Sequence, residues 1–372
     1  MNKLNKYAFS DLYDIASGIS TTKTQAGHGT PFVSFSTVFN NIFLSDELPD
    51  LMDTSEQEQE TYSIRKGDIL ITRTSETADE LAMSCVALKD YPGATYSGFV
   101  KRLRPKTIGV AYDKFMAFFL RSKYFRKVIN NNTIMTLRAS FNEDMFSFLT
   151  LYLPDYDVQV AVGDLLYNIE CKIQNNKRIN DNLAQQAQLL FDFMFQDISG
   201  SKHIGDFIVP QRGTALLSKD AIPGDIPVVA GGLVPSTYHN AANTVAPVIT
   251  ISSSGANAGF VNLWGVPVWS SDSSFIDFKM TPYVYFWHAL LKRHQNNIYK
   301  IQTGSAQPHI YPSHIASLPV CDLDFGKVAD YTERVTPLFT LISKNYKESN
   351  QLRALRDWLL PMLMNGQATI SD

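Results

Sequence analysis

No run in the sequence approaches the roughly 20 continuous apolar residues that a membrane helix needs. The opening Met1-Asn2-Lys3-Leu4-Asn5-Lys6 leads into no apolar signal core, and a cytoplasmic location is expected. Cysteine is scarce: Cys85, Cys171 and Cys321 are odd in number and far apart, which argues against a disulfide framework or a zinc knuckle and for free thiols. Catalytic motifs are missing too. There is no G-x-x-x-x-G-K-[ST] phosphate loop, and Ser252-Ser-Ser-Gly-Ala-Asn-Ala-Gly259 has neither a lysine nor a helix-forming run behind it, so it reads as a loop between strands. No H-E-x-x-H is present, His288 and His294 are six apart and off a shared helix face, and Gly231-Gly232 fits no dinucleotide fingerprint. These absences leave a catalytic residue, a metal site or a bound cofactor without positive support in the sequence, though absence of motifs alone does not exclude an enzyme. Charge is also sparse, at 19% against 45% hydrophobic residues, a composition that excludes disorder as the main state.

What charge there is lies unevenly. Lys101 to Arg138 holds ten bases and one acid, Asp113, whereas Asp46 to Glu60 holds seven acids and no base, within a net charge of −3. Such asymmetry is the form of an electrostatic footprint with one face toward phosphate; solvated charge on ordinary surface loops is the other reading.

At 372 residues the chain suits two domains with extra helical elements. Two segments, Tyr156 to Phe195 and Lys327 to Met364, keep helical periodicity for longer than an ordinary globular helix. In the first, Leu166, Ile173, Asn180, Ala187 and Met194 recur every seven residues, with Ile169, Asn176, Leu183 and Leu190 as the second column. That is a heptad seam. In the second, Val335, Ile342 and Ser349 oppose Tyr331, Leu338, Asn345, Leu352 and Leu359, and Arg356 spoils the seam near its end. A shift of 169 places Ile173 on Ile342, Asn176 on Asn345 and Asn180 on Ser349, giving both helices a polar layer near mid-length. Asn176, Asn180, Asn345 and Ser349 could bind a partner, but polar residues in such a seam more often fix register.

The repetition continues upstream. Ser10-Asp11-Leu12 and Gly18 match Gly205-Asp206-Phe207 and Gly213, and Tyr112, Phe115, Phe119, Leu120 and Arg121 match Tyr283, Phe286, Leu290, Leu291 and Lys292. The first copy is longer, mostly between Asn40 and Ser63, so the acidic stretch reads as a loop insertion. Asp68–Thr72 and Pro247–Ile251 read as strands, Tyr112–Ile129 and Pro282–His294 as helices, and a strand ending in Leu153-Pro154 or Leu318-Pro319 precedes each long helix. The order domain, helix, domain, helix gives an α+β class: two α/β domains joined by two long helices in an antiparallel coiled coil, with a pseudo-twofold repeat. The boundaries are 1–155, 156–197, 198–325 and 326–366, with a tail at 367–372.

Asn175-Asn-Lys-Arg-Ile-Asn-Asp-Asn-Leu-Ala-Gln-Gln-Ala-Gln-Leu-Leu-Phe-Asp-Phe-Met-Phe195 and Leu355-Arg-Asp-Trp-Leu-Leu-Pro-Met-Leu-Met-Asn-Gly366 resemble the conserved helices of the specificity subunits of type I restriction-modification systems. Lys66-Gly-Asp-Ile-Leu-Ile-Thr-Arg73 and Ile301-Gln-Thr-Gly-Ser-Ala-Gln-Pro-His-Ile310 resemble their target-recognition domains. The resemblance implies a non-catalytic subunit that recognises double-stranded DNA, each domain reading one half of an asymmetric bipartite target. It implies helices that dock two methyltransferase subunits and set the half-site spacing, and restriction subunits in the full complex. S-adenosylmethionine, ATP and Mg are then expected in the partner subunits. The alternative from a different class is a coiled-coil scaffold whose repeated domains bind protein or glycan.

Arginine can bond bidentately to guanine, Asn or Gln to adenine, and Lys to phosphate. The DNA-contact candidates are therefore Lys23, Gln25, Arg73, Arg138 and Ser140 in the first domain, and Arg212, Ser253, Asn257, Gln302, Gln307 and His309 in the second. For each, an exposed loop residue or salt-bridge partner is the plain alternative. The helix ends at Leu189, Leu190 and Phe191, and at Trp358, Leu359 and Leu360, are the candidate partner-docking sites.

Overall fold

The computed structural model describes residues 4–77, 80–132, 139–196, 200–304 and 307–364. It divides into two compact units: unit 1 comprises 1–173 and 351–372, and unit 2 comprises 174–350.

Unit 1 is built on strands β1 (Asn5–Ala8), β2 (Tyr13–Ser17), β3 (Ala26–Val33), β4 (Asp50–Met52), β5 (Ile69–Thr72), β6 (Thr74–Ser75), β7 (Ser84–Val86), β8 (Thr95–Tyr96), β9 (Val100–Pro105), β10 (Ala139–Ser140) and β11 (Thr150–Leu153). Its main sheet has the order β2-β9-β5-β7, beside β4-β3-β8 and the pairs β1-β11 and β6-β10. All four residues of β5 are buried, in keeping with Ile69-Leu70-Ile71 being a continuous apolar run rather than an alternating one. Behind the sheet, Phe115, Phe119 and Phe125 pack with Leu166 of the first long helix and Leu363 of the second.

Unit 2 repeats this plan with β12 (Lys202–His203), β13 (Gln211–Arg212), β14 (Ile226–Val229), β15 (Thr237–His239), β16 (Val248–Ser252), β17 (Val261–Trp264), β18 (Trp269–Ser270), β19 (Ser273–Asp277) and β20 (Pro319–Val320). The sheets are β13-β19-β16-β17, β15-β14-β18 and β12-β20. Sheet order thus matches strand by strand except for the β6-β10 pair, whose place in unit 2 is taken by a single bridge between Ser254 and His309. β3 runs parallel to β8, and β14 parallel to β18. Gly18 and Gly213 also correspond: a Cβ would lie 2.1 Å from the Ser97 carbonyl oxygen in one and 2.3 Å from that of Ser270 in the other. Close backbone approach therefore requires glycine at both places.

The long helices are Tyr156–Met194 and Phe325–Met364. Within unit 2, the Tyr331 hydroxyl donates to the Ala187 carbonyl at 3.1 Å, the Asn345 amide to Asn180 Oδ1 at 2.9 Å, and the Asn176 amide to Ser349 Oγ at 3.3 Å. One residue number rises as the other falls, so the pair is antiparallel. Asn176 also donates to Glu348 at 2.7 Å and Asn180 to the Ile342 carbonyl at 3.4 Å. The four polar residues thus face one another in one hydrogen-bonded layer. In unit 1 the misfit of Arg356 has a physical reason: its guanidinium donates to Glu170 at 2.7 Å, both side chains being under 20% exposed. The position is a charge pair, not a defect.

Other sequence expectations need correction. The acidic stretch is not simply a loop, because Asp50–Met52 forms β4, which pairs with β3 as β15 pairs with β14. Its next turn is a helix, Glu56–Thr61, capped by Ser55 and Glu58. The helix expected over Tyr112–Ile129 is two, Asp113–Phe119 and Lys123–Asn132, and the Ser122 hydroxyl accepts from the Phe125 N–H to start the second. The short strand before the second long helix is Pro319–Val320 and does not end at Leu318-Pro319.

The basic run is consumed mostly inside unit 1. Arg121 donates to the carbonyls of Ser84, Val38, Phe39 and Asn41, and burial pulls its pKa down. Arg126 bonds the carbonyls of Leu81 and Ala82. Arg104 forks onto Asp68, which raises its pKa, and Arg102 bonds the Ser63 carbonyl. Lys101 reaches Ser17 and Glu143, and Lys114 pairs with Asp164. Guanidiniums with five donors suit clusters of loop carbonyls that no backbone N–H serves. Of the ten bases, only Lys123 and Lys127 are exposed with no partner among the described residues, and Arg138 lies outside them. The phosphate-footprint reading of this run does not hold.

Candidate nucleic-acid interface

In each unit the end of the central strand, a turn from the sheet edge and a later loop are tied by the same three backbone bonds. In unit 1 these are Gly18 N–H to Val100 O (3.1 Å), Arg73 N–H to Phe99 O (2.8 Å) and Phe141 N–H to Arg73 O (2.7 Å). In unit 2 they are Gly213 N–H to Ser273 O (2.8 Å), Ser253 N–H to Asp272 O (3.2 Å) and Ile310 N–H to Ser253 O (2.9 Å). Thus Arg73 corresponds to Ser253 and Phe99 to Asp272. Ser140, which pairs with Thr74, corresponds to His309, which bridges Ser254. The frame gathers residues far apart in sequence onto one loop edge per unit.

On the unit 1 edge, Arg73 is exposed with no side-chain partner among the described residues, and Ser140 is exposed on the neighbouring strand. Arg138, expected beside them, lies outside the described residues. Lys23 is exposed and open. Gln25 is committed to the fold: its Oε1 accepts from the Thr22 backbone at 3.0 Å and its amide donates to the Asp53 carbonyl at 3.2 Å.

On the unit 2 edge, Arg212 is half exposed and donates to Asp272 Oδ1 at 2.7 Å. Ser253 is 1% exposed, with its hydroxyl turned inward and unpartnered. It belongs to the frame, and no base edge can reach it. Asn257 lies half-buried in the loop after β16. Gln302 donates to the Ala258 carbonyl at 2.8 Å, leaving its oxygen available. Gln307 is exposed, and the His309 ring stacks on Tyr311 at 6.2 Å. Unit 2 therefore offers a denser polar edge than unit 1.

Sequence reasoning missed Phe99, which is 61% exposed, as well as Asp272 and Tyr311. An aromatic residue directly after Ser97-Gly98 was the available signal for the first, because a turn rarely has a core to bury it in. Asp272 was hidden in the serine run Ser270–Ser274.

The docking candidates separate by burial. Leu189 and Trp358 are 60% and 64% exposed, Leu190 lies against the unit 2 core and Leu359 and Leu360 against that of unit 1. Phe191 is wholly buried against Phe286 and Tyr331, so it supports the helix face from behind and presents nothing to a partner.

Residues 1–185 match the family model of the type I restriction modification DNA specificity domain. That stretch belongs to the type I restriction-modification specificity family. The type I restriction enzyme HindI specificity subunit of Haemophilus influenzae is 26% identical over 170 residues, covering 45% of this chain and 35% of that protein. The matched stretch thus spans about a third of that relative's length. Among solved structures, the type I restriction-modification S subunit from M. genitalium is similar over 100% of this chain and 97% of its own, at 16% identity and a TM-score of 0.61. At that identity the likeness establishes the fold, including both copies and both long helices. No described helix is long and apolar enough to cross a membrane.

Proposed function

We propose that this chain is the DNA-reading subunit of a type I restriction-modification enzyme and that each unit reads one half of a bipartite, asymmetric target. The observation that carries this is the duplicated frame: three identical backbone bonds hold each loop edge, while the side chains displayed there differ between copies. A rigid frame with exchanged side chains suits two different half-sites, since base contacts specify and scaffold contacts position. Arg73, Arg212, Asn257, Gln302, Gln307 and His309 have the donors and acceptors that base edges need.

The chain supplies recognition, and chemistry on the DNA falls to its partners, with S-adenosylmethionine, ATP and Mg held there. The exposed helix faces at Leu189 and Trp358 take two methyltransferase subunits, restriction subunits complete the assembly, and the long helices set the number of unspecified base pairs between half-sites. Fluorescence anisotropy of the chain with its methyltransferase partner on random duplex should fall steeply with salt as counterions return to the phosphates. Arg73→Ala should weaken specific binding and relax one position of one half-site. Absence of any duplex binding by that complex would refute the assignment and favour a protein- or glycan-binding scaffold.

A further inference from the structure

We infer that Phe99 and Asp272, which hold the same place in the two units, make the two half-sites different: Phe99 selects a thymine by its methyl group, and Asp272 positions Arg212 to select a guanine. This rests on the DNA-reading assignment above.

The correspondence is fixed by backbone bonding, because each residue's carbonyl accepts the N–H that follows the central strand, from Arg73 to Phe99 and from Ser253 to Asp272. Around this shared point the chemistry diverges twice. Ser17, which precedes Gly18, stands where Arg212 precedes Gly213. At these two places unit 1 therefore has neither the acid nor the arginine that unit 2 brings together. Two coordinated exchanges at one loop edge are what a change of ligand group requires.

In unit 1 the same point is an aromatic ring. Phe99 lines a shallow cavity of about 530 Å³ whose apolar wall is Phe35 and Phe39 and whose polar rim is Thr74, Ser75, Glu76 and Glu80, and the Phe35 and Phe39 rings are stacked at 5.9 Å. A ring left 61% exposed loses apolar surface to water only when a ligand covers it. In the major groove of a duplex the thymine C5-methyl is the one apolar group on offer. Arg73, adjacent through the backbone and open, supplies the cation that brings a polyanion to this patch.

In unit 2 the same point is a carboxylate fixed from two sides. Asp272 Oδ1 accepts from Arg212 at 2.7 Å, and Oδ2 accepts from the Ser254 hydroxyl. One N–H of the guanidinium is used and four remain, on a side chain 47% exposed. Holding one edge fixes the fork, so less freedom is lost when it meets the O6 and N7 of guanine. The carboxylate also repels phosphate, which steers this arginine away from the backbone and toward a base edge. Asp272 is thus a positioning residue that acts through Arg212.

The test is methylation-site mapping in cells expressing the chain, wild type or variant, with its modification subunit. Phe99→Ala should lose preference for thymine at one position of one half-site and leave the other intact. Asp272→Asn and Arg212→Lys should both relax the same guanine in the other half-site, about tenfold or more, and Asp272→Glu should retain it. Arg212→Lys keeps the charge, so the inference stays open to refutation even if Asp272→Asn does not fold. A wild-type motif unchanged by Phe99→Ala or by Arg212→Lys overturns this inference alone, as does a motif in which Asp272→Asn and Arg212→Lys alter different positions. A wild-type complex that reads no motif overturns the DNA-reading assignment and this inference with it.

Discussion

The two units share a frame and differ in what locks it. In unit 1 the loops behind the sheet hang on arginine forks, with Arg121 alone bonding four carbonyls. In unit 2 the residue at the place of Arg121 is Lys292, which donates to one carbonyl, that of Val261, and sits 4.9 Å from the Phe260 ring. The corresponding tightness there comes from buried serines: Ser270 and Ser273 bond each other at 2.8 Å, and Ser273 reaches the Val229 carbonyl. The difference teaches that a small set of features defines the frame: the close-approach glycines, the apolar central strand and the aromatic helix behind it. The polar network that satisfies the loops can be replaced wholesale.

The largest expected effect comes from breaking the lock of unit 1. Arg121→Ala strands several buried carbonyls and should destabilise the protein by about 3–5 kcal/mol, whereas Lys292→Ala should cost about 1–2 kcal/mol. Urea denaturation of both variants checks this, and equal losses would mean that the two locks do not differ as described.

The seam offers a second contrast. In unit 1, Glu170→Ala leaves the largely buried Arg356 guanidinium facing an empty place, with the exposed Asp357 carboxylate still beside it; the loss should be about 2–4 kcal/mol. In unit 2, Asn176→Ala removes amide bonds to Glu348 and Ser349 and should cost about 1–2 kcal/mol. Thermal unfolding of the two variants ranks them, and the reverse order would contradict the burial and pairing seen here.

Acid should separate the units more gently. Burial, and then the Lys292 charge, hold the His288 pKa well below its ordinary value; burial, and then Arg293, lower that of His294. Both are in unit 2, and the one histidine of unit 1, His28, is largely exposed. Below about pH 6.5 the unfolded chain takes up protons at these positions that the folded unit refuses, so stability falls as pH falls, by at most about 1.4 kcal/mol per pH unit for each histidine. Hydrogen exchange at pH 7 and pH 5, corrected for intrinsic rates, should show protection lost in the unit 2 core and kept in unit 1. Equal loss in both would remove the histidines as the cause.

Much of the frame was legible because it rests on local signals that survive duplication: heptad spacing, paired glycines and apolar strands bounded by turns. The polar layer of Asn176, Asn180, Asn345 and Ser349 could be read for the same reason, since both columns carry it at one shift. The fate of the basic run could not be read. Which carbonyls Arg121 or Arg126 meets is decided by tertiary folding of loops some 40 to 80 residues away, and a charge count cannot distinguish a fork turned inward from one facing solvent. Arg356 was misread in the same way, its partner Glu170 lying 186 residues away. The equivalence of Phe99 and Asp272 was concealed because the turn from β8 to β9 is one residue longer than that from β18 to β19, so no constant shift aligns both flanks. Ser253 shows the converse limit: its place in the loop just after the strand was read correctly, but the direction of its side chain depends on tertiary packing.

The reading of one half-site by each unit is tested most directly by mapping methylation in a host that expresses the chain with its modification subunit and no other specificity subunit. The expected result is a single asymmetric motif of two specified half-sites separated by a fixed number of unspecified base pairs, with Arg73→Ala altering one half-site and leaving the other unchanged. A continuous motif, or an Arg73→Ala variant that alters both halves together, would contradict it.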